Sequence, residues 1–386
     1  MRIGIVTGEY PPMQGGIGAY SAIFAHALVD QGHTVAVYTG QGAAANRADD
    51  SIPVTFRVQR WSPAAVWAIR QWVRDHQLEV INLQFQTAAF GMSPYIHFLP
   101  LLLRPIPVVT TFHDLRFPYL FPKAGALRPA IVRLLARTSA GVIVTNHEDD
   151  QQLSALPHRA LIPIGSNIEA DVPAGFDPQA VRARAGIAAN AFLIGYFGFI
   201  NRSKGLETLL EGAARLIQRG IPVRVVLIGG TAGSSDPTNA AYMSEIDTLI
   251  ERLSLGEVVL RTGFLNDVEV AEWLRTIDAA ALPFRDGASF RRGSLMAAIQ
   301  YGCAIVTTQP SVPIPEFTDS EMPPMLFHQP DAIDEFADRC QQLYESPALR
   351  EALGKAAVGL KSRFEWSTIA RAAADFFART VPEQTP

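Results

Sequence analysis

Three groups of residues in this 386-residue sequence have types and spacings that could do chemistry. The first is the loop carrying Pro11, Pro12, Gly15, Gly16 and Gly18, which breaks the short apolar run Arg2 to Thr7 and precedes helical periodicity over Ala19 to Val29. Glycines let a backbone approach a ligand closely, and the helix N-terminus beyond them offers free N–H groups and a positive dipole end. The second is Arg291-Arg292-Gly293-Ser294, two adjacent arginines opening a helix. Their charge opposes the dipole unless an anion is near, which favours phosphate over a merely solvated pair. The third is His113, at the carboxyl end of a strand near 107–111, where a histidine can serve packing as readily as a ligand.

Gly16-Ile17-Gly18-Ala19-Tyr20-Ser21 nearly spells a dinucleotide fingerprint. Two details argue against a nicotinamide enzyme. Ser21 stands where the third glycine belongs, and the second strand, Val35 to Tyr38, ends in Thr39 where an acid should hold the ribose. His147, within Asn146-His147-Glu148-Asp149-Asp150, suggests metal ligands at first sight, but polar residues opening a helix more often cap it.

The elements that position these groups alternate between strand and helix along the whole chain. The length exceeds what one core usually serves, so two α/β domains are expected. Strands near 2–7, 34–38, 54–59, 79–84, 107–111, 141–145 and 160–162 form a first series, with helical patterns over Pro63 to Asp75 and Leu127 to Arg137. Pro163, Gly165, Pro173, Gly175 and Pro178 mark a linker. A second series starts at Phe192 to Phe197, continues through a helix over Lys204 to Arg219 and a strand over Val223 to Ile228, and adds strands at Val258 to Arg261, Ala279 to Leu282 and Ala304 to Thr307. Two such sheets would put a ligand cleft at their strands' carboxyl ends. The last helical patterns, Leu349 to Ser362 and Ser367 to Thr380, lack a following strand and are expected to cross back to the first domain.

A net charge of −4 gives no reason to expect nucleic acid as a partner. Cys303 and Cys340 sit in apolar periodic segments and read as core residues. No secretory leader is evident, and Tyr95 to Leu103 is too short to span a bilayer, so a cytoplasmic location is expected. Arg116, Lys123, Arg128, Arg133 and Arg137 surround a partly amphipathic helix that could rest on an anionic membrane, although a solvated helix face is the simpler reading.

The ordered motifs resemble glycosyltransferase family 4. YPPMQGGIGAYS resembles that family's acceptor-domain glycine loop, with Gly15 and Gly16. Val108 to Asp114 resembles the strand that delivers a histidine, here His113, to the donor sugar. Gly198 to Gly205 has the spacing of its phosphate-gripping glycine-to-lysine segment, and Gly263-Phe264-Leu265, Pro315-Glu316 and Phe364-Glu365-Trp366 follow in family order. The resemblance implies an α/β GT-B fold with Rossmann-like domains at 1–170 and 171–362 facing across a cleft, and a helix in 363–386 returning to the first. It implies a retaining, metal-independent hexosyltransferase with no cofactor, moving sugar from a UDP-sugar or GDP-sugar to a glycan or lipid-linked acceptor. Lys204, one of only four lysines, is the expected diphosphate cation; Arg202 is a compensating candidate, because Phe199 occupies the place where the family's arginine usually follows the glycine.

The departure lies in the family's glutamate pair. Aligning on Gly302 puts Ser289 and Ala297 at the two positions. Asp286 is the expected substitute for the first glutamate, with Arg291, Arg292, Gly293 and Ser294 gripping the diphosphate. A retaining transfer in which the donor's phosphate deprotonates the acceptor needs electrostatic clamping more than a protein base. The alternative is a catalytically silent nucleotide- or glycan-binding protein on the same fold.

Overall fold

The computed structural model describes residues 1–13, 15–40, 51–115, 127–230, 237–319 and 322–381. The chain divides into two compact units, Met1–Asn167 with Arg363–Pro386, and Ile168–Ser362.

The first unit is built on β1 (Arg2–Thr7), β2 (Thr34–Gly40), β3 (Val54–Val58), β4 (Val80–Phe85), β5 (Val108–Phe112), β6 (Gly141–Val144) and β7 (Arg159–Leu161). All pair in parallel, in the order β3-β2-β1-β4-β5-β6-β7. Helices on both faces explain why the central strands are apolar without alternation: Ile3, Ile5 and Val6 of β1 are all fully buried. The helix Pro63–Asp75 begins with Ser62 accepting the Ala65 N–H and Pro63 in its first turn, and turns Val66, Ile69, Trp72 and Val73 inward. It packs so close to β1 that a Cβ on Gly4 would lie 2.8 Å from Trp72.

The last helix, Trp366–Ala378, also belongs to this unit. Ile369, Ala370, Ala373 and Phe377 share a core with Ile3, Phe24 and Leu28, and Trp366 donates its Nε1–H to the Ser166 carbonyl at 2.7 Å. The earlier helix Pro347–Gly359 stays in the second unit, packed on the helices Gly293–Gln300 and Ile333–Glu345. Only the terminal one of the two expected crossing helices therefore joins the first unit.

The second unit carries β8 (Phe192–Phe197), β9 (Val223–Ile228), β10 (Val259–Arg261), β11 (Ala279–Leu282), β12 (Ile305–Thr308) and β13 (Leu326–His328), parallel in the order β10-β9-β8-β11-β12-β13. The helix Leu206–Gln218 buries Leu206, Leu209, Leu210, Ala213 and Leu216 completely. Each such leucine contributes roughly 1.5–3 kcal/mol by leaving water. Gly212 admits the Phe336 ring, which would stand 2.3 Å from a Cβ there.

Tyr95–Phe98 and Leu99–Leu102 form a 3₁₀ turn and a short helix. No helix among the described residues is long and apolar enough to cross a membrane. Of the basic set suggested for a membrane surface, Arg116 and Lys123 lie outside the described residues, and so does the side chain of Arg128. Cys303 and Cys340 are buried free thiols, as expected of core residues.

Candidate active site

Each sheet reverses its strand order once, between β1 and β4 in the first unit and between β8 and β11 in the second. In open parallel sheets the carboxyl-end loops beside such a reversal splay apart and leave a ligand crevice. The candidate residues sit in those loops.

In the second unit, the segment after β8 and the one after β11 are fastened together. Gly198 leaves the strand at φ +125, and the side chain of Asn201 accepts from the Ser203 N–H at 3.1 Å and the Ser203 hydroxyl at 2.8 Å, closing the 3₁₀ turn Arg202–Lys204. Gly205 ends the turn in the left-handed region at φ +67, where a Cβ would stand 2.0 Å from the Pro283 carbonyl oxygen. Glycine is required there on both counts. The Ser203 carbonyl then accepts the Arg285 N–H at 3.0 Å.

This fastening places Lys204 against the loop after β11. Its ammonium lies 5.0 Å from the centre of the Phe284 ring, and the Arg292 guanidinium lies 4.8 Å from the same ring. Asp286 binds both neighbouring arginines: Arg291 donates to Oδ2 at 3.0 Å, and Arg292 donates to Oδ1. All three side chains are largely buried. Burial pushes the Lys204 ammonium down to about 7, aided by Arg292 and Arg291 and opposed by Asp286. Lys204, Arg291 and Arg292 thus gather around the Asp286 carboxylate.

The same group opens the helix Gly293–Gln300. Arg292 is its N-cap, no acid lies in its first turn, and the buried Ser294 hydroxyl has no hydrogen-bond partner among the described residues. That hydroxyl faces Gly198, 3.9 Å from where a Cβ of Gly198 would be. The Arg291 and Arg292 guanidiniums, the Lys204 amine, helix-end N–H groups and the Ser294 hydroxyl together suit a polyvalent anion such as a diphosphate.

Lys204, Asp286, Arg291, Arg292, Gly293 and Ser294 are therefore brought together, and Arg202 is not. Its exposed guanidinium turns to Glu245, at 2.7 and 2.5 Å, over the Tyr242 ring. Asp286, expected as a catalytic carboxylate, has both oxygens engaged by guanidiniums and stands here as their counterion. Ser289 and Ala297 are buried, and neither carries a carboxylate.

In the first unit the glycine loop is shorter than expected, because the helix begins at Gly16 and runs to Asp30. The Glu9 carboxylate accepts the Gly18 N–H, and a Cβ on Gly15 would fall 2.0 Å from its Oε2. The chain's own carboxylate thus occupies the anion position that the loop offers, while Gly16 remains open, with nothing within 4 Å of its missing Cβ. Burial pushes Glu9 above the ordinary carboxylate range, against the Gly18 hydrogen bond. His113 follows β5 directly. Its Nε2 contacts Gln84 Oε1 at 2.7 Å, its ring stands edge-on to Tyr20 at 4.7 Å, and burial pushes it down to about 4. Asn146 caps the helix His147–Gln152 by accepting the Asp149 N–H, in line with the capping reading of that segment.

Glu9, Gln84, Asn82 and Phe284 belong to these sites and were not singled out from sequence. A signal existed for two of them: Asn82 and Gln84 are amides on one face of the otherwise apolar run VINLQF.

Comparison with known proteins fits this arrangement. The Glycosyl transferase 4-like domain family matches residues 15–165, and the Glycosyl transferases group 1 family matches residues 191–346. D-inositol 3-phosphate glycosyltransferase of Arthrobacter sp. is 27% identical over 245 residues, 62% of this chain and 53% of that protein. Alpha-monoglucosyldiacylglycerol synthase of Streptococcus pneumoniae is 22% identical over 298 residues, 72% and 65% of the two chains. The chain spans about half the length of most of the curated relatives it matches. Sucrose-phosphate synthase from Thermosynechococcus elongatus has a TM-score of 0.76 at 17% identity, covering 98% of each chain. Anabaena HepE in complex with UDP has the same TM-score at 18% identity, covering 98% of this chain and 100% of its own. With a glycosyltransferase match in each unit and two parallel sheets shared with these structures, the chain belongs to glycosyltransferase family 4, of the GT-B fold.

Proposed function

We propose that this protein is a retaining glycosyltransferase that takes a hexose from a nucleoside-diphosphate sugar and passes it to a glycan or lipid-linked acceptor. The observation that carries the reading is the convergence of Lys204, Arg291, Arg292 and the unpartnered Ser294 hydroxyl at the N-terminus of Gly293–Gln300. As the glycosidic bond breaks, negative charge grows on the diphosphate, and preorganised cations and N–H groups stabilise that charge without needing a metal. His113 supplies a neutral hydrogen-bonding ring to the sugar. UDP is the first donor to test, because the structural neighbour HepE was solved with it.

Incubation with UDP- and GDP-hexoses, with and without candidate acceptors, tests the reading. Release of nucleoside diphosphate with an α-linked product from an α-linked donor is expected. A product of inverted configuration would refute retention. Ser289 and Ala297 favour one second reading, a silent binder, which predicts nucleotide binding with no hydrolysis or transfer under any acceptor.

A further inference from the structure

His113 is the last member of a buried chain of hydrogen bonds. Its Nε2 lies 2.7 Å from Gln84 Oε1, Gln84 Nε2 lies 2.5 Å from Asn82 Oδ1, and Asn82 Nδ2 reaches the Val109 carbonyl at 3.1 Å and Thr111 Oγ1 at 2.9 Å. Asn82 and Gln84 are fully buried and two residues apart on one face of β4. Primary amides so placed must be partnered with donors and acceptors in the right order.

That order is fixed from the far end. A backbone carbonyl only accepts, so the Asn82 atom facing Val109 is the nitrogen and Oδ1 is left to accept. Oδ1 takes an N–H from Gln84, which leaves Gln84 Oε1 as an acceptor. Oε1 in turn requires an N–H at His113 Nε2. The ring is neutral near pH 7, since burial pushes it down to about 4. A neutral imidazole with its proton on Nε2 carries a lone pair on Nδ1. The His113 main chain is tied to the same strand, donating to the Phe85 carbonyl at 3.1 Å, and Tyr20 fixes the ring from the side. Among the described residues, Nδ1 has no partner.

We infer that Gln84, oriented by Asn82, is a positioning residue that holds His113 in the Nε2–H tautomer, so that Nδ1 accepts a hydrogen bond from a sugar hydroxyl. A lone pair there repels phosphate oxygen and takes an O–H, so this end of the first sheet reads the uncharged part of the substrate. The role in transfer rests on the proposed transferase reading; the tautomer does not.

The test uses the full chain labelled with [¹⁵N]histidine, with the His113 signals identified by their loss in His113→Asn. The wild type is expected to show a pyridine-like Nδ1 and a pyrrole-like Nε2. Gln84→Met, similar in size but without the acceptor, should mix the two tautomers. Gln84→Glu should instead give a doubly protonated ring, because a buried carboxylate favours the imidazolium. Gln84→Glu removes the Nδ1 acceptor and should lower kcat/KM for transfer about tenfold; Gln84→Met leaves it in part of the population and should lower kcat/KM less, and neither change should alter nucleoside-diphosphate affinity. A protonated Nδ1 in the wild type, or an unaltered tautomer in both variants, overturns the inference. Altered tautomers with undiminished transfer overturn the sugar-hydroxyl role. The expected wild-type tautomer with no transfer from any donor refutes the enzyme reading and leaves the positioning network standing.

Discussion

Binding of a nucleoside diphosphate should draw a proton onto Lys204. In the free protein, burial together with Arg292 and Arg291 holds this amine at about 7, and only Asp286 opposes them. At pH 8 about one-tenth of it is therefore protonated. A diphosphate adds at least two negative charges beside it and returns the amine towards its ordinary value, so binding at pH 8 should take up about 0.9 proton, against about 0.1 at pH 6. By linkage, diphosphate affinity should fall about tenfold for each pH unit above 7 until the bound-state value is passed. The free protein carries the converse signature. Its folded-state value lies below the unfolded one, so the unfolded chain holds the extra proton between about 7 and 10.5 and stability rises with pH across that window. Titration calorimetry in two buffers of different ionisation enthalpy reads the proton directly, and Lys204→Met should abolish both the uptake and the pH slope. A zero buffer dependence at pH 8, or an equal one in Lys204→Met, would refute the reasoning.

Arg292→Ala removes a charge-assisted contact of about 1.5–3 kcal/mol and should weaken diphosphate binding by roughly 10- to 150-fold in the same calorimeter. Asp286→Asn takes the carboxylate charge from between two buried guanidiniums; thermal melts should show a lower Tm, and inorganic diphosphate should raise it more than it raises the wild type. Gly205→Ala forces a Cβ 2.0 Å from the Pro283 oxygen at φ +67, so denaturant unfolding should show a loss of about 2 kcal/mol or more, with donor affinity reduced because Lys204 moves. Glu9→Ala strips the Gly18 N–H of its acceptor and should cost about 1 kcal/mol of stability, whereas Glu9→Gln, which still accepts, should cost less.

The sheets were legible in the sequence because parallel strands buried on both faces are short apolar runs, and β1 to β12 each left one. β13, Leu326–His328, was not picked out from the sequence. The helix Pro63–Asp75 was legible to its ends because Ser62, Pro63 and the apolar spacing agree. The helix after the glycine loop was expected from Ala19, yet starts at Gly16, where the Glu9 carboxylate lies against Gly15 and Gly18. Lys204 was expected in the first turn of a helix over Lys204 to Arg219; it lies in a separate 3₁₀ turn, since Gly205 must turn left-handed beside Pro283. Trp61, Trp72, Phe85 and Phe90 are buried core residues, while Trp67 is 61% exposed. Residue types alone could not show that Arg202 would find Glu245 or that Asp286 would lie between two arginines. Those outcomes depend on side-chain directions set by loops. The amides Asn82 and Gln84 were readable as anomalies in an apolar strand, but their link to His113 needs the β4–β5 register, Gln84 opposite Thr111.

The central claim is that the loops after β8 and β11 bind the diphosphate of a sugar nucleotide. Calorimetric titration of wild type and Arg292→Ala with uridine, guanosine and adenosine diphosphates and their hexose conjugates, without added metal, tests it most directly. The account predicts that one nucleotide series binds the wild type and that Arg292→Ala loses most of that affinity. Failure of every nucleotide to bind, or binding indifferent to Arg292, would contradict it.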